Sequence, residues 1–541
     1  MKLCEYINEC LNEIGVEKVF GVPGALVMPV WQSISSAEII LCSHEQEASY
    51  VAAGYGKMAH KPVAVITTGG PGVTNCISGV ASANIDSVPM VYISGRTPLD
   101  KNGKGLRQEE SHVNRLYDSV DILKNFTKQS FCIHNLNIAA KKIRECIRYA
   151  VEGRCGAVHI SVPVDLQNGE IVVEHLQKLE KLSAEEDPLI PKVSKPVIIM
   201  GWGCWMGGAV KRIYELAEKI KAPILVTSKA YCCIRSNNPF FLGKLGYGYT
   251  PYIEEFLSTY SPDAILTFGT SLGEKDIPTN MWKDIESADL YIFSNDKSAY
   301  ECKRIDPKKV IEGEINRTVA CLCSQMPERK DDRVLLEMIR STRENTKEYW
   351  QRRIAENDLM AKVIDSLNQY VNEDIVITAD AGNHLANAAA LIEKINEGSF
   401  FLDVGIRAMG NGICTAVGMA IADPAKIYVA ITGDGCMLMN GNVMHLASIR
   451  KLPVIFVVFN NHALGRVRVG QTIMNDFRAT DIYNVDFQMY GKAFGIDTYQ
   501  FTLLEEFENN IQKILLSRKT ALVEVVTDHD EIPVSVKDNI Y

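Results

Sequence analysis

Between Ile427 and Asn461 the chain reads as an apolar run (IYVAIT), the triplet Gly433-Asp434-Gly435, a helical stretch (Leu438–Arg450), a second apolar run (PVIFVVF) and the pair Asn460-Asn461. A carboxylate at the C-terminal end of one strand and a carboxamide at the end of the next converge on the edge where α/β sheets bind ligands. Both are hard oxygen donors of the kind Mg²⁺ takes, its remaining positions going to water and phosphate oxygens. Asp434 and Asn461 are therefore candidate metal ligands. Gly433 and Gly435 leave the backbone bare, so that N–H groups at the turn and helix start, those of Cys436 and Met437, can approach a diphosphate. A lone G-D-G is a common structural turn, and an N-N pair means equally little. The order strand, turn, helix, strand between them is what points to an anionic cofactor.

Such a site needs a sheet to hold it. Leu3, Tyr6, Ile7, Cys10, Leu11 and Ile14 recur at helical spacing and lead into a short strand, Val19–Phe20. Strand-like runs follow at Ile39–Cys42, Val63–Thr67 and Pro89–Ser94, separated by helical patterns at Ala48–Ala59 and Val73–Ala83, and the unit closes with Ala157–Val162. This alternation predicts a parallel sheet with helices on both faces. Asp165–Pro191 is charged and weakly periodic, a linker. A second α/β unit has strands at Pro196–Gly201, Pro223–Val226, Ala264–Phe268 and Leu290–Phe293; a second charged linker, Glu328 to Arg333, leads to a helix around Ile354–Val371 and strand Ile375–Thr378. The third unit repeats the rhythm of the first up to Leu522–Val526, with a loose internal echo between Val65-Ile-Thr-Thr-Gly-Gly-Pro-Gly and Ala430-Ile-Thr-Gly-Asp-Gly. The expected fold is α/β with three doubly wound parallel-sheet domains, over residues 1–165, 190–325 and 350–541.

Composition narrows the function. With 541 residues, 47% of them hydrophobic and 23% charged, the chain is that of an ordinary globular protein. A net charge of -9 without any Lys/Arg-rich run gives no footprint for nucleic acid. Glu5, Asn8 and Glu9 interrupt any signal-peptide core, and the longest apolar runs are strand-sized, so neither export nor a membrane partner is expected. The 15 cysteines form no C-x-x-C pair and suit a reducing, cytoplasmic compartment; Cys232-Cys233 and Cys321/Cys323 read as buried structural thiols before they read as a metal cluster.

In this context the G-D-G to N-N segment resembles the cofactor-binding signature of thiamine-diphosphate enzymes. Ser43-His44-Glu45-Gln46-Glu47-Ala48, which follows the second strand and opens a helix, resembles the R-H-E-x-x-A segment of acetolactate synthases. F-G-V-P-G (20–24), T-G-G-P-G-V-T-N (68–75), H-I-S-V-P-V-D (159–165) and M-G-N-G (409–412) resemble further segments of those enzymes, in the same order and over most of the chain. The resemblance implies pyrimidine-binding, central and diphosphate-binding domains, with thiamine diphosphate and Mg²⁺ as cofactors. It implies that Glu45 hydrogen-bonds the cofactor's pyrimidine so that its amino nitrogen can take a proton from the thiazolium ring. Such a glutamate commonly comes from the partner subunit, implying a homodimer or homotetramer. Met409 would be the apolar wedge that bends the cofactor, the Arg407 carbonyl would accept from its pyrimidine, Gly382 and Asn383 would contact it, and the Ala463 carbonyl would be the third metal ligand. Alone, Met409 reads as core and Glu45 as a helix-dipole partner.

The implied activity is decarboxylation of a 2-oxo acid such as pyruvate and transfer of the acyl fragment to an acceptor. Alternatives are a simple decarboxylase releasing an aldehyde, disfavoured because no His-His pair is present, and a catalytically idle regulatory homologue, disfavoured because Glu45, Asp434 and Asn461 are all retained. Gly24 and Ala25 would line the substrate pocket. Arg466 falls where acetolactate synthases have a methionine; it reads either as a bidentate anchor for an acceptor's carboxylate or phosphate or as a surface residue of a mobile loop, Leu464–Thr480. For the F-Q-E segment of those enzymes two alignments compete: Arg107-Gln108-Glu109, or a downstream one that places Arg115 at the glutamine, favoured by spacing, with Lys101–Ser111 as an added loop. His384, in A-G-N-H-L, either lines the pocket as a catalytic residue or is a satisfied or solvent-facing histidine. The central unit offers no clear equivalents of the arginine and aspartates around flavin in acetolactate synthases, so the resemblance does not extend to an FAD site.

Overall fold

Six strands in parallel, three times over, organise the chain in the computed structural model, which describes residues 1–113, 116–173, 190–273, 277, 281, 287–300, 309–330, 332–355, 358–474 and 476–536. The first sheet holds β1 (Lys18–Val22), β2 (Glu38–Leu41), β3 (Val63–Thr67), β4 (Met90–Arg96), β5 (Gln129–Cys132) and β6 (Ala157–Pro163) in the order β2-β1-β3-β4-β6-β5. The second holds β7 (Pro196–Met200), β8 (Ile224–Val226), β9 (Phe241–Lys244), β10 (Ala264–Phe268), β11 (Asp289–Ser294) and β12 (Lys309–Glu312) in the order β12-β11-β10-β7-β8-β9. The third holds β13 (Ile375–Ala379), β14 (Phe400–Leu402), β15 (Ile427–Gly433), β16 (Val454–Asn460), β17 (Asp497–Phe501) and β18 (Ala521–Val526) in the order β14-β13-β15-β16-β18-β17. The chain thus adopts the α/β fold with three doubly wound parallel sheets.

Counted from its own first strand, the third sheet repeats the winding of the first, 2-1-3-4-6-5, while the central sheet is wound 3-2-1-4-5-6. The weak echo between residues 65–72 and 430–435 therefore reports a repeated topology. Inner strands such as β15 and β16 are buried along their whole length, as covering both faces of a parallel sheet with helices requires. The N-terminal helix Leu3–Glu13 buries Leu3, Tyr6, Ile7, Cys10 and Leu11, the stripe its spacing predicts.

Three local expectations are corrected. The charged run at 328–333 does not lead straight into the helix expected around Ile354–Val371, which is present as Leu359–Ser366 with a 3₁₀ turn to Gln369: Asp332 first caps a helix from Arg333 to Gln351 by accepting from the Leu335 N–H (3.0 Å), and that helix buries Leu335, Ile339, Thr342 and Trp350. The helix expected at Leu438–Arg450 instead starts at Asp434, runs to Asn440 and resumes at Val443–Ile449. The loop expected over Leu464–Thr480 contains a helix, Gly465–Gln471, and a 3₁₀ turn, Thr472–Met474.

The described residues fall into two compact units. One comprises residues within Met1–Ser183, Ile413–Ala425 and Asn440–Pro453, and the other residues within Ala184–Gly412, Lys426–Met439 and Val454–Tyr541. In the first unit the helix Glu45–Ala59 lies so close to the helix Asn411–Ala422 that a Cβ on Gly418 would fall 2.0 Å from the Val51 carbonyl oxygen, and one on Gly54 would fall 2.5 Å from that of Thr415. Glycine is required by contact here, since alanine is the better helix former. Gly418→Ala is accordingly expected to destabilise the protein by about 1–3 kcal/mol in urea unfolding, where an uncrowded helix position would gain stability.

Candidate active site

In the third sheet the winding reverses between β13 and β15, which pair directly, and an open α/β sheet binds ligands at the strand ends beside such a reversal. Asp434 leaves β15 there and is only 4% exposed. Its Oδ1 accepts from the Gly435 N–H (2.7 Å) and its Oδ2 from the Ala463 N–H (3.2 Å). Burial pushes its carboxyl up to about 6 against those donors. Asn461, 5% exposed, follows the adjacent strand β16 and donates through Nδ2 to the His529 carbonyl (3.4 Å). A Cβ on Gly465 would stand 2.9 Å from Nδ2 of both Asn461 and Asn383. Asp434, Asn461 and Ala463 are thus brought together with Asn383. The Ala463 carbonyl already accepts from the Gly465 N–H (2.8 Å) and keeps a second lone pair.

The asparagine pair divides its labour. Asn460 turns into the sheet, donating to Glu524 of β18 (2.7 Å) and accepting from the His462 N–H (3.3 Å), so only Asn461 serves the crevice.

After β13 come Asp380, Ala381, Gly382, Asn383 and His384, the last two opening the helix Asn383–Leu391. The His384 ring lies against two bare glycines: a Cβ on Gly382 would sit 2.3 Å from its Cε1, and one on Gly433 3.0 Å from the same atom. His384 is buried, burial lowers it to about 4, and its Nε2 has no hydrogen-bond partner among the described residues. It is therefore not solvent-facing, and it is satisfied on one side only, by the backbone of Asp380. Asn383 donates to the Glu531 carbonyl (3.3 Å), while its Oδ1 is likewise buried without a partner. Met409 lies over Gly435, where a Cβ would come 2.8 Å from the methionine methyl, beside Leu464 and Ile482. The Cys436 thiol donates to the Ala381 carbonyl (3.1 Å), and Met437 is buried.

Sequence reasoning missed the residues that hold these in place. Asp380 is fully buried and accepts from the N–H groups of Ala381 (2.8 Å) and Gly410 (3.1 Å), fixing the turn that carries Met409. An acidic residue at a strand end, as at Asp434, was the available signal. Arg407 has a positive φ of 59° and donates to the Tyr247 hydroxyl (2.8 Å), its guanidinium stacked 5.4 Å from that ring. Lys244, buried at the end of β9, donates to the carbonyls of Ala389 (2.7 Å), Ala390 (3.0 Å) and Ile392 (3.1 Å), closing the C-terminus of the helix that begins with Asn383. Arg466 is exposed on the helix Gly465–Gln471. Its neighbour Arg468 is the engaged arginine, paired with Asp530 (2.6 Å) and Asp481 (3.4 Å).

In the first unit, Glu45 is the first residue of the helix Glu45–Ala59 and half-buried; its Oε2 accepts from Asn75 Nδ2 (2.9 Å), and the Cys76 thiol donates to its carbonyl (3.3 Å). Asn75 ends the T-G-G-P-G-V-T-N segment, and its role was not legible there. The first sheet reverses between β1 and β3, and the turns after both strands meet: a Cβ on Gly24 would stand 2.5 Å from Thr68 Cβ. Ala25 is exposed at the start of a 3₁₀ turn. Gln108 lies against Gly70, with its Oε1 accepting from the Thr68 hydroxyl (3.3 Å). Arg115 lies outside the described residues. Gln108 is thus the glutamine that meets the turn at Thr68–Gly70. Glu109 folds back onto the N–H groups of Gly105 (2.8 Å) and Leu106 (2.9 Å), and so closes the added loop on itself.

Family profiles match the three sheets in turn: "Thiamine pyrophosphate enzyme, N-terminal TPP binding domain" over residues 1–116, the "central domain" over 188–320 and the "C-terminal TPP binding domain" over 380–525. The chain belongs to the thiamine pyrophosphate enzymes. Among the curated relatives of this thiamine pyrophosphate enzyme is "Probable acetolactate synthase large subunit" of Methanocaldococcus jannaschii, 25% identical over 98% of this chain and 93% of that protein. "Acetolactate synthase isozyme 2 large subunit" of Escherichia coli is 27% identical, covering 98% and 96%, and "Acetolactate synthase large subunit" of Lactococcus lactis is 26% identical, covering 97% and 92%. Among the described residues no helix is long and apolar enough to cross a membrane.

One further carboxylate marks the glutamate-bearing helix. Glu47 is fully buried; its Oε1 accepts from the Ser43 N–H (3.3 Å) and its Oε2 from Asn442 Nδ2 (2.6 Å), and burial pushes it up to about 7. A carboxyl raised in the folded state stabilises most below its ordinary value near 4.5, and that stability is lost as pH rises through about 7. Glu47→Gln, measured by denaturant unfolding across pH, is expected to flatten this loss while keeping one donor–acceptor contact.

Proposed function

We propose that this thiamine pyrophosphate enzyme decarboxylates a 2-oxo acid of the pyruvate type and transfers the acyl fragment to an acceptor, as its acetolactate synthase relatives are named for doing. The observation that carries the reading is the crevice at the ends of β13, β15 and β16. There a buried carboxylate, an amide and a carbonyl lie beside two bare glycines and two buried polar atoms, Asn383 Oδ1 and His384 Nε2, that have no partner among the described residues. The residues fit the group. Asp434, Asn461 and the Ala463 carbonyl would hold Mg²⁺, a hard octahedral ion that shares its remaining positions with phosphate. Gly382, Asn383, Gly433, Gly435 and the N–H groups of Cys436 and Met437 would hold the diphosphate, and Met409 with the Arg407 carbonyl the rings.

When bound, thiamine diphosphate supplies a nucleophilic carbon and an electron sink for cleavage beside a 2-oxo group. The chain's part is to position and to move protons. Glu45, held by Asn75, would exchange a proton with the cofactor's pyrimidine. His384, kept neutral by burial with one ring N–H on the Asp380 backbone, would accept a hydrogen bond at Nε2 without adding charge. Gly24, Ala25 and Gln108 would line the substrate side, and Arg466 would anchor an acidic acceptor. We further propose the domain boundaries 1–165, 190–325 and 350–541, assembly as a homodimer or homotetramer, and a cytoplasmic setting, the last supported by the free cysteines.

Glu45→Gln is expected to lower turnover of pyruvate at least about a hundredfold with cofactor content unchanged by mass spectrometry. Asp434→Ala is expected to abolish Mg²⁺-dependent retention of thiamine diphosphate. Product analysis with and without an added 2-oxo acid acceptor separates the activities: free aldehyde alone, whatever the acceptor, replaces the carboligase by a decarboxylase. Full turnover in Glu45→Gln removes the proton-transfer role.

A further inference from the structure

The turn that leaves β16 is tied to a buried carboxylate on which three amides converge. Glu524, in β18 and 2% exposed, accepts at Oε1 from Asn460 Nδ2 (2.7 Å) and at Oε2 from Gln500 Nε2 (2.9 Å) and Gln488 Nε2 (3.1 Å). Gln500 is its register partner on β17, Asn460 ends β16, and Gln488 lies on the helix Phe487–Ala493. Three strands and a helix thus meet at one acid.

Backbone atoms at both ends of this network fix which way its amides point. The His462 N–H can only donate, so the Asn460 atom that meets it (3.3 Å) is Oδ1, and the atom turned to Glu524 is Nδ2. The Tyr499 carbonyl can only accept, so Gln488 turns Nε2 to that carbonyl (3.0 Å) and to Glu524 alike. Residue 524 must therefore accept on both sides, as a carboxylate does. A carboxamide there would set its NH2 group against a donor on one side or the other. The Asn460 end of the network matters because His462 has a φ of 55°, a left-handed conformation that a residue with a side chain keeps when its surroundings hold it. Asn460 Oδ1 on the N–H two residues ahead closes an Asx turn around it. Immediately beyond, the Ala463 N–H donates to Asp434 Oδ2 (3.2 Å).

We propose that Glu524 is a positioning residue of the crevice: by accepting from Asn460 it turns that side chain's oxygen onto the His462 N–H, and so locks the turn that sets Asn461 and Ala463 beside Asp434. In Glu524→Gln the new oxygen meets two donors if it faces Gln488 and Gln500, and one if it faces Asn460. The new NH2 group therefore faces Asn460, whose amide must reverse and present its own NH2 group to the His462 N–H. Adding Asn460→Asp to Glu524→Gln restores every bond, because the new carboxylate accepts from the new amide and from the His462 N–H. The hold of Glu524 on the turn stands by itself; that the turn serves a metal ion rests on the thiamine diphosphate reading.

The test compares the wild type, Glu524→Gln and the double variant as purified full chains. Hydrogen exchange without added cofactor comes first, with the amides of β13 as internal reference. Protection of the amides at 462 and 463 relative to β13 is expected to fall about tenfold in Glu524→Gln and to return to within about threefold of the wild type in the double variant. A purely structural loss would deepen with the second substitution. Wild-type protection in Glu524→Gln, or a double variant no better protected than Glu524→Gln, overturns the proposal. If Glu524→Gln does not fold, a double variant that folds with wild-type protection is the rescue, and one that also fails overturns it. Thiamine diphosphate with Mg²⁺ is then titrated by calorimetry, where binding is expected to weaken about tenfold in Glu524→Gln and to recover in the double variant. Equal affinities in all three chains, with the exchange pattern intact, detach the turn from the metal site and overturn the proposal. A wild type that binds no thiamine diphosphate, with the exchange pattern intact, sinks the cofactor reading and leaves the hold of Glu524 on the turn standing.

Discussion

A carboxylate held out of water is the constraint around which the third sheet is arranged. Asp434 is 4% exposed, and the donors that meet it are the main-chain N–H groups of Gly435 and Ala463. Those bonds favour the charged form, yet desolvation outweighs them and raises its affinity for a proton. The proposed divalent ion would resolve the imbalance more completely than a proton can, because it would bring charge and also use the oxygen donors beside it. Neighbouring features serve the same end: Gly465 lets Asn461 and Asn383 approach, and Asp380 holds the turn that brings Met409 over Gly435.

How far the sequence discloses all this depends on where a strand lies in its sheet. Inner strands are buried on both faces and write themselves as uninterrupted apolar runs, so β3, β10, β13, β15 and β16 are visible at nearly their true bounds. Strands that escape notice, β5, β9, β12, β14 and β17, all lie at sheet margins. They are three to five residues long, and β5 and β17 are partly exposed. Such segments have neither the length nor the continuous apolarity that marks a strand. Charge misleads in the opposite direction at 328–333, where Asp332 is a helix cap inside a run that reads as linker.

The candidate site is legible where chemistry and punctuation coincide. Asp434 and Asn461 are flanked by glycine turns and strand ends, and Glu45 by a helix start, so residue type and position agree. What was illegible is what reaches the crevice from far along the chain. Asn75 meets Glu45 across 30 positions, Tyr247 meets Arg407 across 160, and the carbonyls at 529 and 531 belong to a segment with no motif of its own. Gln108 was not legible as a neighbour of the Thr68–Gly70 turn either, because it arrives there on a loop that Glu109 closes through the N–H groups of Gly105 and Leu106.

Lys244 gives the central sheet a stake in the chemistry of its neighbour. Its ammonium, at the last residue of a margin strand, meets three main-chain carbonyls at the end of the helix whose opposite end presents Asn383 and His384. Excising the central sheet to make a minimal catalyst would strip that helix of its counter-charge and leave buried oxygens facing a void. The middle third of the polypeptide is thus a brace for the helix that carries Asn383 and His384, whatever its own sheet binds.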